Sequence, residues 1–257
     1  MIDFNRLSPD IDNNAAASDA KHAEVIQQLW RKFHEQSAPI GDGHLLFAQI
    51  SDDAWQRYYQ TWQAIKADVS NDAALTKWLI ELFDDLFNND KLDQMPTRLV
   101  RGDGEPEYFP ADTHDVARIE FAHGFFQSAL HEISHWCVAG RHRRTINDFG
   151  YWYEADGRNE QTQAMFEQVE ITPQAIECLL SLALGRYFYV SQDNLNADFD
   201  TSKSTFPQDV YAKALGYLYT PQTLPKDARR LLWVFLTLSH PSFYQPIKWG
   251  SMITYYL

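Results

Sequence analysis

The segment ALHEISHWCVAG, residues 129–140, constrains this chain more than any other stretch of it. It reads His-Glu-x-x-His. Phe126, Leu130, Ile133 and Cys137 surround it at helical spacing, so a largely buried helix is expected from about Phe125 to Ala139. Gly140 stands just past that end, where a left-handed cap residue belongs. His131 and His135 lie four positions apart. Four steps of about 100° bring them to nearly the same face, about 6 Å apart along the axis. Two imidazoles so placed reach one metal ion from one side, and Glu132, one step round, can approach the ion's open side. Two histidines and a glutamate in a buried setting are costly without partners, and a metal supplies one.

An open metal site needs a third protein ligand. FEQVEITPQAIE, residues 166–177, offers Glu167, Glu170 and Glu177. Thr172 as N-cap, Pro173 at the first helical position and Gly185 at the far end mark out a helix over TPQAIECLLSLALG. Glu170 then stands just before the helix start, where the chain can turn inward, and Glu167 can share its face. Glu177 sits one turn into the helix among Ile176, Leu179 and Leu180. Glu170 is preferred, with Glu167 second. His123 ends a strand before the motif helix and is a candidate to line the site, a structural histidine being the alternative. Two histidines and a carboxylate serve a zinc hydrolase, with Glu132 as base, or an Fe(II) oxygenase with open coordination positions. The strand-rich region before the motif helix has no His-x-Asp/Glu, which argues against a 2-oxoglutarate-type centre.

The rest of the chain bounds these choices. It has 257 residues, 45% of them hydrophobic, enough for a substantial core without disulfides. Its 22 basic and 35 acidic residues leave −13, which argues against nucleic-acid binding. Cys137 and Cys178 sit in apolar surroundings, as in a reducing compartment. The N-terminus lacks the pattern of a signal peptide and LLWVFLTL (231–238) is too short to span a bilayer, so a soluble cytoplasmic protein is expected. Helices are expected at about 21–36, 52–69, 72–90, 207–219 and 226–239. TRLVRG, EYFPA, ARIEFAH and FGYWYE have β-character. The expected fold class is α+β: a small, mostly antiparallel sheet packed with helices. Residues 1–75 read as a helical N-terminal extension, the first 20 or so flexible unless docked, 76–242 as the metal-binding domain and 243–257 as a tail. RHRR (141–144) complements the negative end of the motif helix, or serves as a docking patch for an acidic protein.

Several blocks together resemble a known family. RIEFAHGFFQSALHEISHWCVAGRHRR, DFGYWYEADGRNEQTQAMFEQVEITPQAIE and VSQDNLNADF are similar to bacterial elongation factor P hydroxylases, over about Leu79 to Ser242. The resemblance implies a non-haem, metal-dependent monooxygenase that hydroxylates the β-lysylated lysine of elongation factor P, with that protein as partner. It also implies a two-histidine, one-carboxylate centre in a zincin-like arrangement. His131 and His135 are the histidines and the carboxylate lies in FEQVE. Fe(II) with O2 as cosubstrate is the expected cofactor set, zinc or another divalent metal being the alternative. Glu132 then becomes a supporting, proton-handling residue. Asp148 and Arg158 are candidates to hydrogen-bond the ligands from behind, and Phe126, Trp136, Tyr151 and Trp152 to wall the pocket. The competing functions are a zinc metallopeptidase and a binding protein with a structural metal.

Overall fold

A computed structural model describes residues 2–11, 17–38, 47, 49–68, 70–88, 95–151, 157–194 and 196–243. Trp152 and nearly all of the expected tail lie outside these residues. The described chain is α+β. Its helices are α1 (Ala17–Ser37), α2 (Asp52–Ile65), α3 (Asp72–Phe87), α4 (Phe126–Arg143), α5 (Glu160–Ala183), α6 (Phe206–Tyr219) and α7 (Lys226–Ser239). The strands, between α3 and α4, are β1 (Thr97–Arg101), β2 (Glu107–Phe109) and β3 (Ala117–Phe121). Among the described residues no helix is long and apolar enough to cross a membrane.

The sheet corrects the expectation of a mostly antiparallel arrangement. Its order is β1-β3-β2. β3 pairs parallel with β1, Leu99 opposite Ile119 and Arg101 opposite Phe121, and antiparallel with β2, Tyr108 opposite Ile119. The longer ladder is thus the parallel one. Ala117, Ile119 and Phe121 are buried and alternate with half-exposed Arg118 and Glu120. That alternation fixes which face is inward but is the same for either direction of a neighbouring strand. Residues 152–154 of FGYWYE lie outside the described residues, and its first two residues are not in a strand. Asn147–Gly150 is a 3₁₀ turn in which Asp148 and Phe149 have φ of 47° and 58°. Tertiary contacts offset that unfavourable backbone: Phe149 stacks on Tyr108 at 4.1 Å between ring centroids, and the Asp148 carboxylate accepts from the Tyr108 N–H at 2.9 Å.

The N-terminal helices join the same core as the motif helix. Trp62 of α2 is fully buried, 4.5 Å from Trp78 of α3 and 6.2 Å from Phe126 at the start of α4. Phe83 and Phe87, one turn apart on α3, meet Trp136 of α4 edge-on at 5.2 and 4.9 Å. Asp72, at the start of α3, accepts from the Phe126 N–H, one of the donors a helix start leaves without an internal partner. Three residues before the other end of α4, Gly140 kinks the helix, with φ 65° and ψ 176°, positive as a terminating glycine should be but extended in ψ. Arg144 covers that end: its guanidinium donates to the Trp136 carbonyl and pairs with Asp227 of α7 at 2.7 Å. For Arg144 the helix-end role expected of RHRR holds.

α1 is tied to α7 by His34. Its ring stacks on Trp233 at 5.2 Å, its Nε2 lies 2.9 Å from the Thr237 hydroxyl, and the Trp233 indole N–H donates to its carbonyl. Burial pushes the His34 imidazole down to about 4 from its ordinary 6.5. On acidification the unfolded chain therefore takes up this proton first. The His34 contribution to stability is complete above about pH 6.5 and is lost as pH falls towards 4. Urea midpoints measured across that range should fall more steeply for the native protein than for His34→Gln. Parallel curves would show that His34 carries no such dependence.

Candidate metal centre

α4 and α5 run antiparallel with a polar seam between them. Gln127 of α4 meets Glu177 and Ser181 of α5, His131 meets Glu177 and Glu170, and His135 meets Glu170. The seam on α5 follows from the sequence. Gln163, Glu167, Glu170, Gln174, Glu177 and Ser181 recur at alternating steps of four and three, one stripe of an α-helix. Beyond Glu170 that stripe is set in an apolar surround of Ile176, Leu179, Leu180 and Leu182.

α5 itself differs from the expected helix start. It runs unbroken from Glu160 to Ala183, with Asn159 as N-cap accepting from the Thr162 N–H and Pro173 inside. Pro173 removes one internal hydrogen bond, and the carbonyl released is that of Val169, an exposed residue. The helix can therefore continue through the proline. Glu170 and Glu177 thus stand two turns apart on one rigid rod.

His131, His135 and Glu170 each offer a ligand atom, all within 4.8 Å of one another. The two Nε2 atoms are 3.1 Å apart, and Glu170 lies 3.2 Å from His135 Nε2 and 3.7 Å from His131 Nε2. Ligand atoms held at about 2.1 Å around one metal are separated by roughly 3.0–3.4 Å, so the three side chains fit a shared ion. The electrostatics point the same way. Burial disfavours the charged form of His131, yet the Glu177, Glu170 and Glu132 carboxylates outweigh it and raise the imidazole. Burial likewise works against the Glu170 carboxylate, which the two histidines and the Gln174 amide hold down to about 2. A field that draws a proton here also favours a divalent cation. Nitrogen and carboxylate donors of this kind suit iron, zinc and similar metals.

The other expected residues fall in different places. Glu132 is partly buried beside the histidines, and burial raises its carboxyl against their opposing pull. Glu167 turns away from the histidines: it accepts from Ser204 at 2.6 Å and from Gln163 and Gln192, tying down the segment after α5. His123, with φ 51°, sets its ring edge against Phe125 and is not one of the converging donors. Asp148 bonds Tyr108 rather than a ligand, because its left-handed turn aims it at β2. Arg158 is buried just ahead of the α5 N-cap. There it donates to Gln163 and to the Gln192 and Asp193 carbonyls, away from the histidines. Tyr151 lies near the site, 6.1 Å from the His135 ring with the Arg143 guanidinium over its face. Phe126 and Trp136 face the core.

Glu177 is a functional residue whose place the sequence does not reveal. Offered there as a third ligand, it instead accepts from His131 Nδ1 at 2.8 Å, behind the ring. The stripe of polar residues on α5 marks its face, but the stripe alone does not tell it from Glu170 or Glu167.

Comparison with known proteins adds an independent line. The family model described as elongation factor P hydroxylase matches residues 82–245. A protein of Haemophilus influenzae named elongation factor P lysine hydroxylase is 47% identical over 147 residues, covering 57% of this chain and 81% of that protein.

The geometry separates the two glutamates offered as third ligand. Glu170→Ala should lower metal affinity by more than the roughly 10–100-fold typical of outlying partners. Glu167→Ala should keep the metal and lose about 1–3 kcal/mol of stability, because it strips a half-buried acceptor from its donors. Metal content after dialysis, read by mass spectrometry beside melting curves, checks both. Undiminished metal in Glu170→Ala would remove it from the ligand set.

Proposed function

The chain belongs to the elongation factor P hydroxylase family, and on that premise we propose that it hydroxylates a lysine side chain of elongation factor P. The site would be a metal centre held by His131, His135 and Glu170. The observation that carries this is the convergence of those three side chains within the segment the family model matches. The substrate side chain is the lysine already extended by β-lysine, and the metal is Fe(II). The zincin-like relation of the His-Glu-x-x-His helix to a glutamate on a second helix belongs to the same reading, as does a cytoplasmic location.

The overall change converts a C–H bond to C–OH. One oxygen atom of O2 enters the product and the other leaves as water, which requires two electrons from a reductant and two protons. Bound iron supplies the one-electron chemistry that lets O2 react. The protein's own residues do the remaining work. His131, His135 and Glu170 would hold the metal. Glu132, on the same helix, holds or passes a proton at its carboxyl oxygen. Tyr151, braced by Arg143, forms a wall beside His135 that positions the substrate chain and limits water.

Iron-loaded protein, given β-lysylated elongation factor P, O2 and a reductant, should add the mass of one oxygen atom to the modified lysine. Mass spectrometry of the substrate reads this directly. His135→Ala should abolish the gain. Peptide cleavage in place of the gain, lost in Glu132→Gln, would replace the hydroxylase reading with a zinc peptidase.

A further inference from the structure

From the polar seam behind the metal ligands, the geometry assigns Glu177 as a positioning residue that, with Gln127 and Ser181, locks the His131 ring in one tautomer and one orientation. The assignment rests on the reading of His131 as a metal ligand.

The two ring nitrogens of His131 face different partners. Nδ1 lies 2.8 Å from Glu177 Oε2. An ionised carboxylate only accepts, so the hydrogen of this bond belongs to Nδ1. In a neutral imidazole the lone pair is then on Nε2, and Nε2 is the atom that faces His135 and Glu170. The bond therefore selects the tautomer that can bind a metal and turns its lone pair towards the other donors. A carboxylate in this position also makes the ring a stronger ligand.

Glu177 is itself held. It is 6% exposed, and its second oxygen accepts from the Gln127 amide at 2.9 Å. The same amide nitrogen reaches the fully buried Ser181 hydroxyl at 2.8 Å. Gln127 sits one turn before His131 on α4, and Ser181 one turn after Glu177 on α5. Both carboxylate oxygens are thus held from α4, with Ser181 of α5 steadying the Gln127 amide, and swinging the carboxylate round the ring to join the ligands would break these bonds. Its partners are on the far side of the imidazole from the converging donors. That distinguishes Glu177 from Glu170, which meets both Nε2 atoms.

The test measures metal binding rather than turnover, using Co(II) titrated into the full-length protein and followed by its visible spectrum. Glu177→Gln keeps a carbonyl acceptor for Nδ1–H and loses the charge, so it should bind Co(II) about 10-fold more weakly; Glu177→Ala, with no acceptor, should approach 100-fold. Both should still show the band pattern of the native ligand set, and Glu177→Gln should melt close to the native protein. Native affinity in both variants would reduce Glu177 to a helix-packing contact and overturn the assignment. Loss as complete as in Glu170→Ala, with a changed band pattern, would make Glu177 a ligand and overturn it equally. If Glu177→Ala does not fold, Glu177→Gln against Glu177→Asp decides on the same criteria. Co(II) binding that survives His135→Ala unchanged would instead remove the metal centre itself, a separate failure.

Discussion

The structure depends on a polar seam buried between two helices. Imidazoles and carboxylates removed from water are costly singly and tolerable only when each faces a partner. Here every seam residue with a strong demand has one. His131 is met on both nitrogens, Glu170 by His135 and Gln174, and Glu177 by His131 and Gln127. Gln174 also grips the chain beyond α5, donating to the Ser191 carbonyl and accepting from its N–H. The seam therefore fixes the segment that packs over it as well as the two helices that form it.

Such a seam tolerates no slippage. Moving α5 by one residue would turn every side chain on it by about 100° and take Glu170 away from both histidines. Register has to come from elsewhere, because polar groups alone could pair in more than one way. The aromatic layer behind α4 supplies it. Trp136 is on the helix that carries the histidines and is wedged against Phe83 and Phe87, while Arg144 ties its carbonyl to Asp227 of α7. Large rings at close-packed density have few alternative seats, so the apolar side of α4 dictates where its polar side points.

The parts of this that were readable in the sequence are those set by local periodicity. The four-residue step from His131 to His135 is a property of any α-helix, and the amphipathic patterns of α1, α2 and α3 needed no knowledge of their neighbours. The identity of the carboxylate was less accessible. Glu167, Glu170 and Glu177 share one stripe, and the choice among them depends on where α4 crosses α5, which no local pattern encodes. Pro173 misled because its missing N–H costs nothing at a helix start, whereas here it stands inside α5 and gives up one bond, to the carbonyl of the exposed Val169. The parallel pairing of β1 with β3 was hidden for a related reason. Alternation along ARIEF names the buried face and leaves the direction of the neighbouring strand to tertiary packing.

The N-terminal helices can now be placed in this chain of dependence. α1 and α2 precede the segment the family model matches and α3 enters it at residue 82, and α2 and α3 support the start and the flank of the motif helix. Asp72 takes up the Phe126 N–H, and Trp62 packs on the Phe126 ring. Phe126 is one residue before Gln127, the side chain that anchors Glu177. A helix start left without Asp72 would fray from that end, and fraying reaches Gln127 before it reaches His131. His131 and His135 would keep their four-residue spacing while the group that orients His131 loosened. The effect of the N-terminal helices on chemistry is thus expected to run through ring orientation at His131 rather than through the presence or absence of a ligand.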